Sequence, residues 1–91
     1  MPKKKDNILR IGDKVKVTNV GSIYTSYKEM FDKLNFRKQR VNYRDALEGD
    51  LGIVFAIAEH PKDPKTILVA VEITSRDNGQ ILINIDGLRK L

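Results

Sequence analysis

Catalysis near neutral pH needs a nucleophile, a base or a metal, and this chain carries few candidates for any of them. It has no cysteine and a single histidine, His60. A serine nucleophile needs an imidazole within hydrogen-bond reach and a third group to orient that imidazole. Ser22, Ser26 and Ser75 stand at no spacing from His60 that suggests such an arrangement, and His60 before Pro61 reads as a loop residue. No Gly-x-Gly-x-x-Gly or phosphate-loop pattern occurs. Asp77-Asn78-Gly79 opens like a calcium loop but lacks the later oxygen ligands and the bidentate glutamate. Glu48 and Asp50 flank a turn, where carboxylates satisfy backbone donors. Without thiolates, and with one imidazole, only carboxylates remain for a metal site. The expectation is a domain that binds rather than catalyses, with no catalytic residue, metal, cofactor or small-molecule substrate.

Groups suited to binding are far better represented. Residues 37 to 44 read Arg37-Lys38-Gln39-Arg40-Val41-Asn42-Tyr43-Arg44, cations without an acid among them. Arginine forks pair bidentately with phosphate and stack on bases. Tyr43 offers a planar face to an unpaired base, and Gln39 and Asn42 carry the groups that read base edges. Lys3, Lys4, Lys5 and Arg10 would add phosphate contacts from a flexible arm, and Lys14 and Lys16 would extend the patch from the first strand. The net charge of +5 is unevenly spread. Residues 1 to 44 hold 12 Lys/Arg and 4 Asp/Glu, whereas residues 45 to 91 hold 5 and 8. Such segregation points one part of the molecule at an anionic partner. The first reading is therefore nucleic acid, DNA or RNA, held mainly through phosphate with little sequence preference. The alternative is a protein partner with an acidic patch, the domain serving as adaptor or inhibitor.

The elements that must position these residues follow from hydrophobic periodicity. Residues 1 to 9 read as a basic arm and 10 to 91 as one domain, since 91 residues suffice for one modest core. Val15 and Val17 alternate with Lys14, Lys16 and Thr18, the period of a half-buried strand. Tyr27, Met30, Phe31 and Leu34 form the apolar stripe of a helix, with Ser26 and Glu29 as a capping box and Asn35 at its end. Leu51 to Ala58 predicts a strand with Ile53, Phe55 and Ile57 inward. Glu59 to Lys65, with two prolines, predicts a loop. Thr66 to Ile73 and Gln80 to Ile85 predict two strands joined by a type I′ hairpin at Asn78-Gly79. Asp86-Gly87-Leu88 is a final turn, after which Arg89-Lys90-Leu91 adds a short strand or one 3₁₀ turn. The expected fold is mainly β with one helix, a small barrel of about five strands. A helical and basic insertion over about 21–48 separates its first two strands.

Gly12-Asp13-Lys14-Val15-Lys16-Val17 resembles the opening strand of SH3-like barrels. Gly49-Asp50-Leu51-Gly52-Ile53-Val54 is similar to the strand of a KOW-type motif, and Ile81–Ile85 with Asp86-Gly87-Leu88 resembles the last strand and 3₁₀ turn of the same barrels. The resemblance covers about residues 10 to 20 and 49 to 91. It implies an SH3-like fold and binding of RNA, DNA or components of transcription and the ribosome. The insertion departs from compact members, which have a short loop there. A short basic chain with a lysine-rich start also resembles small bacteriophage proteins. No signal-peptide segment or membrane-spanning run is evident, so a cytoplasmic protein (host cytoplasm, if viral) is expected.

Overall fold

A computed structural model of the chain describes residues 9–37, 46–75 and 79–91. Six strands form one antiparallel sheet: β1 (Lys14–Val17), β2 (Ile23–Tyr24), β3 (Leu51–His60), β4 (Asp63–Ile73), β5 (Gly79–Asn84) and β6 (Leu88–Lys90). Their order is β2-β5-β4-β3-β1-β6, so the sheet is open, with β2 and β6 as its edges. One helix, α1 (Lys28–Lys33), lies between β2 and β3. Short 3₁₀ turns at Val20–Ser22 and Ile85–Gly87 precede β2 and β6.

Residues paired across strands share a face, and the registers sort the sheet into two. The first face carries Val15, Val17, Gly52, Val54, Ile57, Val69, Val71, Ile73, Ile81, Ile83, Ile23 and Leu88. These positions are apolar and, apart from half-buried Ile57, buried, while exposed Lys90 opposite Val15 and Glu59 opposite Ile67 mark the rim of the same face. The second face carries Leu68, Ala70 and Leu82, also buried, in β4 and β5. Strands buried on both sides read as near-continuous aliphatic runs, as Ile67–Val71 and Ile81–Ile83 do.

The segment from α1 to Arg37 crosses this second face. Met30 and Phe31 are buried, with Tyr27 and Leu34 half-buried at the flanks of the stripe. Phe31 meets Phe36 at 4.9 Å between ring centroids, and Phe36 meets Phe55 of β3 edge-on at 5.2 Å. The turn that allows this is built at the helix end. Asn35 takes φ 61, Phe36 N–H donates to Phe31 O at 3.0 Å and Asn35 N–H to Asp32 O at 3.3 Å. That pairing is the Schellman motif, and the Phe31–Phe36 contact is its usual apolar partner.

The sheet is open with six strands, where a barrel of about five was expected, because β2 adds an edge strand and does not pair with β6. Four further expectations need correction. Ser26 does not cap α1, because Tyr27 occupies that position and no side-chain bond forms there. The prolines do not exclude a ladder. Strand β3 runs to His60 and β4 starts at Asp63, with Pro61-Lys62 as the connection, because Pro61 suits a turn and Pro64 falls where the register shifts. Ile73 pairs with Gly79, so residues 74–78 join β4 and β5 and Gly79 stands in the strand rather than in a two-residue turn. Finally, Ile53 points outward. Phe55 is an extra residue between the pairs Val54–Val71 and Ala56–Ala70, a β-bulge that breaks the alternation assumed for β3.

Candidate nucleic-acid interface

Beyond the covered part of the second face lies a half that α1 leaves open. It spans β6, β1 and β3. Lys16 stands directly opposite Arg89 of β6 on one side and Leu51 of β3 on the other. One pair further along, Lys14 stands opposite Ile53, and Leu91 donates its N–H to Lys14 O at 3.0 Å. The result is a checkerboard of cations and aliphatic side chains. Leu51, Ile53 and Leu91 are 40%, 37% and 58% exposed. With Lys14, Gly52 and Thr74 they line a shallow groove of about 240 Å³.

Among the described residues no carboxylate forms an ion pair with Lys14, Lys16 or Arg89. Lys90 does pair, with Asp13 at 3.5 Å. Like charges directly opposite on neighbouring strands destabilise a sheet. The Lys16–Arg89 pair is therefore a local cost to folding that a bound anion would relieve.

Arg37 sits differently. Its Nη2 donates to Glu72 Oε2 at 2.6 Å, and its backbone N–H donates to Gln80 Oε1 at 2.8 Å. Gln80 Nε2 donates in turn to Glu72 Oε1 at 2.9 Å. Gln80 is buried, and this arrangement satisfies both ends of its amide. Ile53 pairs with Glu72 and Glu72 with Gln80, so the clamp continues the row that begins with Leu91 and Lys14. Arg37 is thus on the same face as Lys14 and Lys16, half-exposed, with part of its donor fork committed to an acid.

Of the other expected site residues, Arg10 is exposed and lies in the turn before β1, where its backbone N–H donates to Asp13 Oδ2 at 2.8 Å. Lys3, Lys4, Lys5, Lys38, Gln39, Arg40, Asn42, Tyr43 and Arg44 lie outside the described residues. Sequence reasoning missed Arg89, Leu51, Ile53 and Leu91. Only the pairing of the last strand with the first brings Arg89 to Lys16, and only the bulge turns Ile53 outward.

A second feature also escaped the sequence reading. Tyr24, Tyr27 and His60 form a ring cluster with centroids 5.6 to 6.1 Å apart. It stands beside a groove lined by Leu34, Ile57, Ala58, Pro61 and Pro64. His60 Nδ1 accepts the Lys62 N–H at 3.0 Å. Ser75 Oγ donates to Asp50 Oδ1 and accepts the Leu51 N–H, tying the start of β3 to the end of β4. No group of His, Asp and Glu able to hold a metal ion occurs among the described residues. No helix among them is long and apolar enough to cross a membrane.

Compared with known proteins, the chain matches no family model, and no curated protein or solved structure is significantly similar to it.

Proposed function

We propose that this domain is a non-catalytic nucleic-acid-binding module that uses the open half of its sheet, with the basic segment 37–44 and the amino-terminal lysines adding phosphate contacts. The observation that carries the reading is Lys14, Lys16 and Arg89 gathered on one face without a paired acid, two of them directly opposite each other. Cations at cross-strand spacing of about 5 Å and along-strand spacing of about 7 Å present a compact positive surface to a polyanion. Affinity built this way comes from counterion release and is largely indifferent to sequence. Support for an SH3-like arrangement comes from the β3-β4-β5 meander, the 3₁₀ turn before β6 and the pairing of β1 with β6. A first face so fully buried favours a sheet bent around it.

The test is fluorescence anisotropy with labelled oligonucleotides across a salt series. A Lys14→Gln/Lys16→Gln/Arg89→Gln variant should bind weakly and lower the slope of log K against log salt by about two to three. A Lys38→Ala/Arg40→Ala/Arg44→Ala variant should lower it further. Arg37 is left intact there because its loss would also break the clamp on Glu72. Unchanged binding by both folded variants would remove the proposal. The exposed aliphatic residues also suit an acidic protein partner. A stoichiometric protein that stays bound through nuclease and high salt would favour that adaptor reading.

A further inference from the structure

We infer that the polyanion this face accepts is single-stranded, with sugar and base surfaces resting on Leu51, Ile53 and Leu91 while phosphates meet Lys14, Lys16 and Arg89. The inference rests on the nucleic-acid reading above and narrows it. A solvated outer sheet face is ordinarily polar, alternating with the apolar inner one. Here Leu51 and Ile53 of β3 and Leu91, the residue after β6, are aliphatic and more than a third exposed. Their arrangement is interleaved, since each aliphatic residue has a cation as its cross-strand neighbour: Leu51 beside Lys16, Ile53 and Leu91 on either side of Lys14.

Duplex and single strand place different surfaces against such a face. A duplex turns phosphates and sugars outward and keeps its base planes in the stack. Pressing aliphatic side chains onto it would strip water from phosphates with no hydrogen bond in return. A single strand can turn base planes toward the protein, and contact with an apolar floor is then favourable and tolerant of sequence. From β6 to β3 the face is about 10 Å wide, and Leu51 to Ile53 covers about 7 Å along the strand. That area accommodates one or two nucleotides, with the cations close enough to reach the flanking phosphates.

Charge alone predicts the opposite order. Duplex DNA has the denser counterion atmosphere, so phosphate contacts of equal number release more counterions from duplex than from single strand. A single-strand preference at fixed salt would therefore be a signature of the aliphatic floor.

The experiment compares a short labelled oligothymidylate, an oligouridylate and a blunt DNA duplex of the same length at one low salt concentration. The unmodified protein is set against Leu51→Ser/Ile53→Thr. The unmodified protein should bind both single strands more tightly than the duplex. The variant should weaken single-strand binding by about three- to tenfold, a fraction of the stacking energy of an aromatic platform, while duplex binding becomes no weaker and the salt slope stays the same. If the double variant fails to fold, Leu91→Ser, which lies beyond the last strand, carries the same test with the same expected direction. Duplex bound as tightly as single strand, or both weakened equally by the variant, would overturn the inference and leave the polyanion reading standing. No binding of any oligonucleotide at low salt would overturn both. Displacement of the oligonucleotide by polyglutamate at equal charge concentration would also overturn the inference, in favour of an acidic protein.

Discussion

Replacing Lys16 with glutamate should make the domain more stable and worse at its proposed task. Lys16 stands directly opposite Arg89, and Lys14 is two residues away on the same face. Two like charges about 6 Å apart repel by about 0.7 kcal/mol at the dielectric of water and more near a protein surface. Exposed pairs retain only about 0.2–1 kcal/mol of such energy once screening and side-chain freedom act. Glutamate removes the repulsion and adds an attraction to Arg89, less a few tenths of a kcal/mol for its poorer fit to a strand. The net gain should be roughly 0.5–1 kcal/mol, which raises Tm by about 2–8 °C in a domain of this size. The gain should shrink at high salt, where the Debye length falls to about 3 Å. Oligonucleotide affinity should fall about tenfold or more at low salt, and the salt slope by about one. Thermal melts at two salt concentrations and anisotropy titrations read both quantities. A Lys16→Glu protein that is less stable than the parent at low salt, or that binds equally well, would refute the juxtaposition on which the proposal stands.

Three further outcomes test the framework that holds this face. A Cβ added at Gly52 would overlap Val71 Cγ1 and lie 2.7 Å from Glu72 O, so Gly52→Ala should cost at least about 2 kcal/mol in urea denaturation. Gly12→Ala is its control. There the cost comes only from φ 97, with nothing within 4 Å, and should be about 1 kcal/mol. Asn35 holds φ 61 in the helix-ending turn, so Asn35→Gly should be near neutral while Asn35→Ala lowers stability by about 1 kcal/mol. Gln80→Leu removes the acceptor of the Arg37 N–H and one of the two donors to Glu72 in a half-buried setting and should cost about 1 kcal/mol, readable from the same melts.

Local rules located most of the elements. Alternation placed Val15 and Val17 inward and Lys14 and Lys16 outward, as the structure has them. The stripe at Met30 and Phe31 and the left-handed Asn35 were equally legible, because helix period and turn chemistry are properties of neighbouring residues. Register is another matter. The bulge at Phe55 decides whether Ile53 or Val54 faces the core, and nothing in the run Ile53-Val54-Phe55-Ala56-Ile57 announces it. The six-stranded order also escaped the reading, since β2 is two residues long and carries no period. Arg89 illustrates the larger gap. Its position beside Lys16 depends on a pairing between the two ends of the domain, a long-range contact that no window of sequence contains.

The clamp at Arg37 sets two electrostatic expectations against each other, and magnitudes decide between them. Glu72 is an acid in the row of Ile53 and Lys14, on a face proposed to hold a polyanion. By charge alone, Glu72→Gln should tighten oligonucleotide binding. The carboxylate is two strands from Lys14, about 10 Å away, so at physiological salt its effect is screened to roughly the level of a surface pair, under 1 kcal/mol. Against this stands what the clamp fixes. Arg37 is held over β4 and β5 by Glu72 and Gln80, while Asp50 accepts the Leu47 N–H and the neighbouring backbone bonds to Val17, the residue after Lys16. The described residues that flank 38–45 are therefore held at the borders of the open half. Glu72→Gln exchanges the charged acceptor for a neutral one and leaves the Arg37 N–H bond to Gln80 in place. The Arg37 side chain thereby regains conformational freedom worth about 1–2 kcal/mol, which binding must then remove again. The entropic term is the larger, so Glu72→Gln should bind single strands several-fold more weakly although the net charge has risen by one. Tighter binding by Glu72→Gln would mean that Arg37 is worth more free than clamped, and that its bond to Glu72 restrains the site rather than building it.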